Sequence, residues 1–107
     1  RAYLRAIADT GACLGCDRFN IEHFNPDEQR IETLVKLLAE GYGDRVHLSH
    51  DAACFIDFMV GDPAFANERP DFLHISTKVL PALRSAGVTD DQIDGMMIAN
   101  PRRFFER

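Results

Sequence analysis

Polar side chains of the types that act in catalysis or metal binding follow two short apolar runs of this sequence. The first run, residues 12–16, is followed by Asp17 and Arg18, and the second, residues 45–51, ends in Ser49-His50-Asp51. A carboxylate can bind a divalent metal ion, and a guanidinium orients substrate oxygen atoms because it donates hydrogen bonds and stays protonated. These residues form a site only if the fold brings the ends of the two runs together.

The remaining histidines and cysteines fit structural roles better. Side chains alternate along a strand, so His50 is expected on the face opposite Asp51, in a supporting or packing role. His47 is expected on the same face of the strand as Asp51, but four residues earlier and deeper in the fold, where we expect a hydrogen-bonded interior histidine. Cys13 and Cys16 have the Cys-x-x-Cys spacing of zinc and redox motifs, yet residues three apart in a strand point to opposite faces, which favours separate packing roles. Two further histidines, expected to face solvent or to cap a helix, are His23 and His74.

The composition is that of one globular domain. The chain has 107 residues, 46% of them apolar, and a net charge of -5 at pH 7. The negative charge disfavours nucleic acid as a partner, and no apolar run approaches the roughly 20 residues that cross a bilayer. Three cysteines without the spacing of a secreted disulfide scaffold favour a reducing, cytoplasmic setting. Arg1 stands where an initiator methionine is expected, which predicts a truncated or processed start.

Both apolar runs are expected to be short strands that end in polar groups. A helix over residues 2–8 precedes the first strand. Between the strands, Asn25 is a predicted helix cap, Pro26 the first helical residue and Gly41 the stop. The apolar positions of this amphipathic helix are Ile31, Leu34, Val35 and Leu38. The order strand, helix, strand predicts parallel neighbours joined by a right-handed crossover.

A long loop is predicted after the second strand, because residues 52–69 show no sustained period. Such loops are often functional. Here Phe55 and Phe58 are candidate substrate-binding residues that could line an apolar pocket for an acyl or aryl group. A hydrophobic cluster under the loop is an equally good interpretation.

Helices are predicted for the remainder of the chain. Residues 72–86 have helical spacing, and Pro81 is expected to start or kink the helix. Thr89 and Gln92 have the spacing of a capping box that opens a short helix, and Asn100-Pro101 is expected to open one more turn. The expected core residues here are Met96, Met97, Phe104 and Phe105.

Two parallel strands alone make a poor domain, because both faces need helices and both edges stay unpaired. A (β/α)₈ barrel takes about 250 residues, so two βα units would be its last quarter. We therefore expect residues 1–107 to be an α/β chain, the C-terminal fragment of a single barrel domain: its last two βα units plus terminal helices. The active site of such a barrel lies at the carboxyl ends of the strands.

Four sequence blocks resemble the C-terminal part of the phosphotriesterase family of the amidohydrolase superfamily. They are residues 15–19 (Gly-Cys-Asp-Arg-Phe), 48–51 (Leu-Ser-His-Asp), 74–84 and 100–105 (Asn-Pro-Arg-Arg-Phe-Phe). The resemblance covers nearly the whole chain. It implies a distorted (β/α)₈ barrel with two divalent metal ions, expected to be zinc, that hydrolyses esters, lactones or organophosphate triesters, and it suggests a homodimer.

The resemblance also implies roles for two residues. Asp51 matches the carboxylate that binds the more buried metal ion and accepts the proton of the bridging hydroxide. Arg18 matches a substrate-site position that is arginine in the lactonase-like branch and histidine in the phosphotriesterases proper. Lactones and carboxylic esters are therefore expected as substrates ahead of phosphotriesters. The family's other ligands, a His-x-His, a carboxylated lysine and two more histidines, are not identifiable in this sequence, so the fragment alone is expected to be inactive.

Two alternatives stay open. One is a non-catalytic, truncated α/β module that associates with itself through its sheet edge and unfilled barrel interior. The other is a different amidohydrolase with a similar C-terminal segment. The blocks at residues 74–84 and 100–105 disfavour this alternative. A small-molecule substrate is the expectation that follows from the family resemblance, and the charge and the short apolar runs predict neither nucleic acid nor membrane as partner.

Overall fold

The computed structural model describes residues 2–22, 24–52, 57, 61 and 71–106. Its regular elements are, in chain order, α1 (Ala2–Asp9), β1 (Leu14–Cys16), α2 (Asp27–Ala39), a 3₁₀ turn (Gly43–Arg45), β2 (Val46–Leu48), a π-helical segment (Ile75–Val79), α3 (Leu80–Ser85), α4 (Asp90–Asp94), a second π-helical segment (Gly95–Ala99) and α5 (Asn100–Phe105). Within this described part, no helix is both long enough and apolar enough to span a membrane.

The two strands pair in parallel, as the sequence predicts. Leu14 lies opposite Val46, and Cys16 lies opposite Leu48. Each strand has only three residues, shorter than the predicted 12–16 and 45–51. The register explains the difference at the amino ends, because Cys13 would pair with Arg45, which belongs to the 3₁₀ turn.

Helix α2 begins and ends through local sequence signals. Pro26 is its N-cap, with a φ of -56° and a ψ of 143°, so the prediction of Asn25 as the cap and Pro26 as the first helical residue is wrong by one position. The extended ψ keeps Pro26 outside the helix. At the other end Gly41 has a φ of 89°, and its N–H donates to the Leu38 carbonyl. Glycine adopts this left-handed conformation at little cost, and it stops the helix where predicted.

Both π-helical segments lead directly into a helix whose second residue is proline, Pro81 in α3 and Pro101 in α5. A proline lacks the N–H of a regular turn, and its ring crowds the carbonyl four residues earlier. The wider π turn accommodates this locally without ending the helix. Residues 90–105 are therefore helical without interruption, and the predicted separate final turn is wrong.

The helices cover one face of the sheet. Val46 is fully buried there among side chains of α2, α3 and α4, with Cys16 and Leu48 packed against the same cluster. Leu34, Leu38 and Met96 belong to this core as predicted. Phe104 and Phe105, predicted as core residues, are 48% and 80% exposed because they lie in the last turn of α5, outside the buried clusters.

Candidate functional site

Arg18 and Asp51 meet where the two parallel strands end. The Nε atom of Arg18 lies 3.5 Å from Oδ2 of Asp51, and the side chains are 49% and 56% exposed. This arrangement follows from the fold, because the carboxyl ends of adjacent parallel strands lie at one edge of a sheet. The pair presents a permanent cation and a carboxylate side by side to solvent.

Both residues have a left-handed backbone. The φ angles are 62° at Arg18 and 55° at Asp51, and Asn20 has a φ of 75°. Such angles are uncommon outside glycine and tend to occur where function requires an unusual side-chain direction. The Asp51 conformation is supported by Ser49, whose Oγ accepts the Asp51 N–H at 3.2 Å.

The left-handed turn ends the alternation of side chains on which the prediction for His50 rests. Nδ1 of His50 accepts a hydrogen bond from the Ala52 N–H at 2.9 Å. Its ring packs edge-on against Phe72, with 5.4 Å between ring centroids. His50 thus has a local and packing role beside Asp51.

A second aromatic ring lies under the guanidinium of Arg18. The Cζ atom of Arg18 lies 5.2 Å from the ring centroid of Phe24, within the range of a cation–π interaction. Phe24 and Phe72 are each more than half exposed and give the surroundings of the pair an apolar character. The predicted substrate-binding residues Phe55 and Phe58 lie outside the described residues, as do His23 and Cys54.

His74, predicted to face solvent or to cap a helix, is buried instead. Its Nε2 lies 2.5 Å from Oδ2 of Asp27, and only 9% of the residue is exposed. The prediction is wrong because the partner is 47 positions away in the chain, and no local spacing reveals it.

His47, predicted to be a hydrogen-bonded interior histidine, has a buried Nε2 with no hydrogen-bond partner among the described residues. Its ring lies edge-on to Phe104, with 5.6 Å between centroids. Burial, and secondarily the charge of Arg103, lowers the pKa of His47 from its ordinary value of 6.5. A neutral ring is therefore favoured at this position.

The two described cysteines are free thiols. Burial, with the nearby Asp17 carboxylate, raises the pKa of Cys16 to about 11. Metal ions and redox partners react with the thiolate, so Cys16 is poorly suited to either role. This agrees with the packing role expected for it.

Asp51 fits a metal site as one ligand. Its carboxylate is exposed, supplies hard oxygen atoms and has the cationic Arg18 as a neighbour. The described residues contain no group of three or more His, Cys, Asp or Glu side chains that could hold a metal ion. A catalytic zinc ion takes about three protein ligands, so Asp51 would need partners from outside the described part of the chain.

Comparisons with known proteins identify similar sequences and folds. The model of the phosphotriesterase family matches residues 1–105. A relative from Saccharolobus solfataricus, an aryldialkylphosphatase, is 33% identical over 106 residues, which cover 96% of this chain and 34% of that protein. The solved phosphotriesterase structure from Mycobacterium tuberculosis superposes with a TM-score of 0.91 at 37% identity, covering 99% of this chain and 33% of that one.

A third similar protein comes from the engineering of organophosphate hydrolysis activity from a weak promiscuous lactonase template. It is 34% identical and superposes with a TM-score of 0.78. The match covers 97% of this chain and 34% of that one. The chain spans about a third of the length of the curated relatives that it matches. These superpositions confirm the predicted fold class, in which β1 and β2 with their helices are part of a (β/α)₈ barrel.

Proposed function

Because the chain belongs to the phosphotriesterase family, we propose that the whole protein is a metal-dependent hydrolase of lactones and carboxylic esters, with phosphotriesters as poorer substrates. Residues 1–107 would form part of its single catalytic domain, in a cytoplasmic setting. The observation that carries the proposal is the contact between Arg18 and Asp51 at the carboxyl ends of adjacent strands.

Asp51 is the proposed metal ligand and proton acceptor. Two divalent metal ions, with zinc as the expected metal, would make a hydroxide nucleophile available near neutral pH. The exposed carboxylate of Asp51 would hold one ion through an oxygen atom and take up the proton of the attacking nucleophile. Its backbone is left-handed and is held by the hydrogen bond to Ser49, and its carboxylate lies beside the guanidinium of Arg18.

Arg18 is the proposed substrate-orienting residue. A guanidinium donates hydrogen bonds but cannot accept a proton, so Arg18 can polarise and orient a lactone oxygen without relaying protons. The cation–π contact with Phe24 limits the directions that the guanidinium can take. The similar lactonase template supports placing lactones ahead of phosphotriesters.

The metal role is tested by Asp51→Asn in the zinc-loaded whole protein. We expect lactone turnover to fall by at least about 100-fold, because both the ligand charge and the proton acceptor are lost. Bound metal, measured by mass spectrometry, should also decrease. The matched control is Asp44→Asn, since Asp44 lies at the other end of β2, is also 56% exposed and also has Oδ2 3.5 Å from an arginine Nε. Full activity in Asp51→Asn would refute the assignment.

The substrate role is tested by Arg18→His. We expect the ratio of phosphotriester to lactone kcat/KM to rise by at least about tenfold while metal content stays the same. Arg84→His is the matched control, because Arg84 is also 49% exposed and also pairs with a carboxylate through Nε. A zinc-loaded protein that leaves lactones, esters and phosphotriesters all intact contradicts the proposed function.

A self-associating module is the second candidate function. It is favoured by large apolar side chains that remain exposed in the described part of the chain, among them Tyr3, Leu73 and Phe105. Exposed apolar side chains mark a site of protein association where they form one contiguous surface. Light scattering coupled to size exclusion tests it on the 107-residue chain, where a well-folded monomer argues against the module.

A further inference from the structure

The loop that carries Arg18, residues 17–25, is fixed at both ends by one side chain of α2. The NH1 group of Arg30 donates to the Asp17 carbonyl at 2.8 Å, and its Nε donates to the Asn25 carbonyl at 2.9 Å. Beneath the loop, Phe19 is 1% exposed, and the Arg30 guanidinium lies 5.9 Å from its ring centroid. The ends of the loop are therefore held independently of Arg18 itself.

The middle of the loop is held by a different contact. Asn20, two residues after Arg18, donates its backbone N–H to Oδ1 of Asp27 at 2.9 Å. The other oxygen of that carboxylate, Oδ2, lies 2.5 Å from Nε2 of His74, whose Nδ1 lies 3.7 Å from Oδ2 of Asp71. One carboxylate thus connects the Arg18 loop to the start of the helical region that follows residues 52–70.

This pair is more buried than its neighbours. The side chains of His74 and Asp27 are 11% and 17% exposed, whereas the Arg18 and Asp51 side chains are about half exposed. A buried polar pair adds little net stability compared with apolar side chains of the same size, but it fixes direction through its hydrogen bonds. A polar pair here is therefore better explained by what it orients than by what it stabilises.

We propose that His74 and Asp27 are positioning residues that hold Asn20, and through it Arg18, in the left-handed conformation that places the guanidinium beside Asp51. The same pair joins the two chain segments that flank the site, so the position of Arg18 depends on the segment that begins at Asp71. The catalytic consequence rests on the proposed function, whereas the structural consequence does not.

The structural consequence is tested by hydrogen exchange of the Asn20 amide, measured by NMR in the whole protein. Asp27→Ala and His74→Ala should speed exchange at Asn20 by at least about tenfold, because its acceptor is removed or loses its support. His74→Gln, which can still donate from Nε2, should remain close to the parent protein. Asn100→Ala is the control for general destabilisation and should not affect Asn20 selectively. Unchanged exchange at Asn20 in Asp27→Ala overturns the proposal.

The catalytic consequence is tested by a double-mutant cycle on lactone hydrolysis. If Asp27 acts through Arg18, Asp27→Ala should lower kcat/KM by about tenfold, mainly through KM, but by less than about twofold in an Arg18→Ala background. A merely structural role gives equal losses in both backgrounds and overturns the proposal. If Asp27→Ala fails to fold, His74→Gln and His74→Ala in the same cycle decide.

The two proposals fail in different ways. A protein without hydrolase activity, or one in which Arg18→Ala changes nothing, contradicts the proposed function, and Asn20 exchange still decides whether the pair positions the loop. An active lactonase with additive losses contradicts only the positioning role.

Discussion

At the scale of single residues, Cys16 illustrates how burial makes a thiol unreactive by keeping it un-ionised. Its pKa is raised to about 11 by burial and by Asp17, so about 1% of the thiol is ionised at pH 9. We expect iodoacetamide to modify Cys16 slowly at pH 8 and about tenfold faster with each pH unit up to about pH 10. Mass spectrometry on a Cys13→Ser variant measures this, because both cysteines fall in one tryptic peptide. Equal rates at pH 9 and 11 would contradict the buried, un-ionised thiol.

His47 makes folding sensitive to acid. Its folded pKa is lowered below 6.5 by burial and by Arg103, whereas the unfolded histidine has its ordinary value. The unfolded state therefore binds the proton more readily, and the stabilisation present above pH 6.5 is lost as the pH falls toward the folded pKa. We expect the drop in melting temperature between pH 7 and pH 5 to be smaller in His47→Gln than in the parent protein. Identical drops would show that His47 does not contribute.

The site could be predicted only where it follows from the order of strands. Arg18 and Asp51 come together because each follows a parallel strand, which the pattern of apolar runs already indicates. The left-handed backbone at both residues has no such signal, because neither residue type requires it. The contact between His74 and Asp27 joins distant parts of the chain and depends on how α2 packs against the region after residue 70.

At the scale of elements, local signals predict α2 and the start of α4 closely. Thr89 Oγ1 accepts the Gln92 N–H at 3.2 Å, and Gln92 Oε1 accepts the Thr89 N–H at 3.0 Å, as a capping box requires. Pro101 misleads because proline is normally a helix boundary, whereas the prediction that Pro81 starts or kinks the helix agrees with the start of α3. Here the π turns before Pro81 and Pro101 shift the hydrogen-bond pattern, and tertiary packing keeps the helices continuous.

Asn100 joins helix α5 to the sheet. This side chain is buried, and its Nδ2 donates to the carbonyls of Gly43 and Val46 at 2.8 and 2.7 Å. We expect Asn100→Ala to lower the free energy of unfolding by about 2–4 kcal/mol, because the buried Val46 carbonyl and the partly buried Gly43 carbonyl lose their donor. Ile98→Ala, at an exposed position on the preceding π turn, should cost less than about 1 kcal/mol. Urea unfolding of the three proteins tests this, and similar midpoints would contradict it.

At the scale of the whole molecule, the described part of the chain has a core on only one face of its sheet. Helices cover the side of Val46, while Gly15, on the other face, is exposed. Parallel sheets are normally buried on both faces. The superposition on a third of a barrel accounts for the open face, because inward-facing side chains of the other strands fill that space in a complete barrel.

The same geometry predicts that this chain alone and the whole protein bind different amounts of zinc. The described residues offer Asp51 but no group of three metal-binding side chains, and one carboxylate does not hold zinc tightly. We expect the 107-residue chain alone to retain less than one zinc ion per molecule in equilibrium dialysis and to hydrolyse neither lactones nor phosphotriesters, whereas the whole protein binds two. Asp51→Asn should lower zinc content only in the whole protein, because under the proposed function the other ligands come from outside this chain. Tight zinc binding by the short chain, lost in Asp51→Asn, would instead mean that its own residues complete the centre.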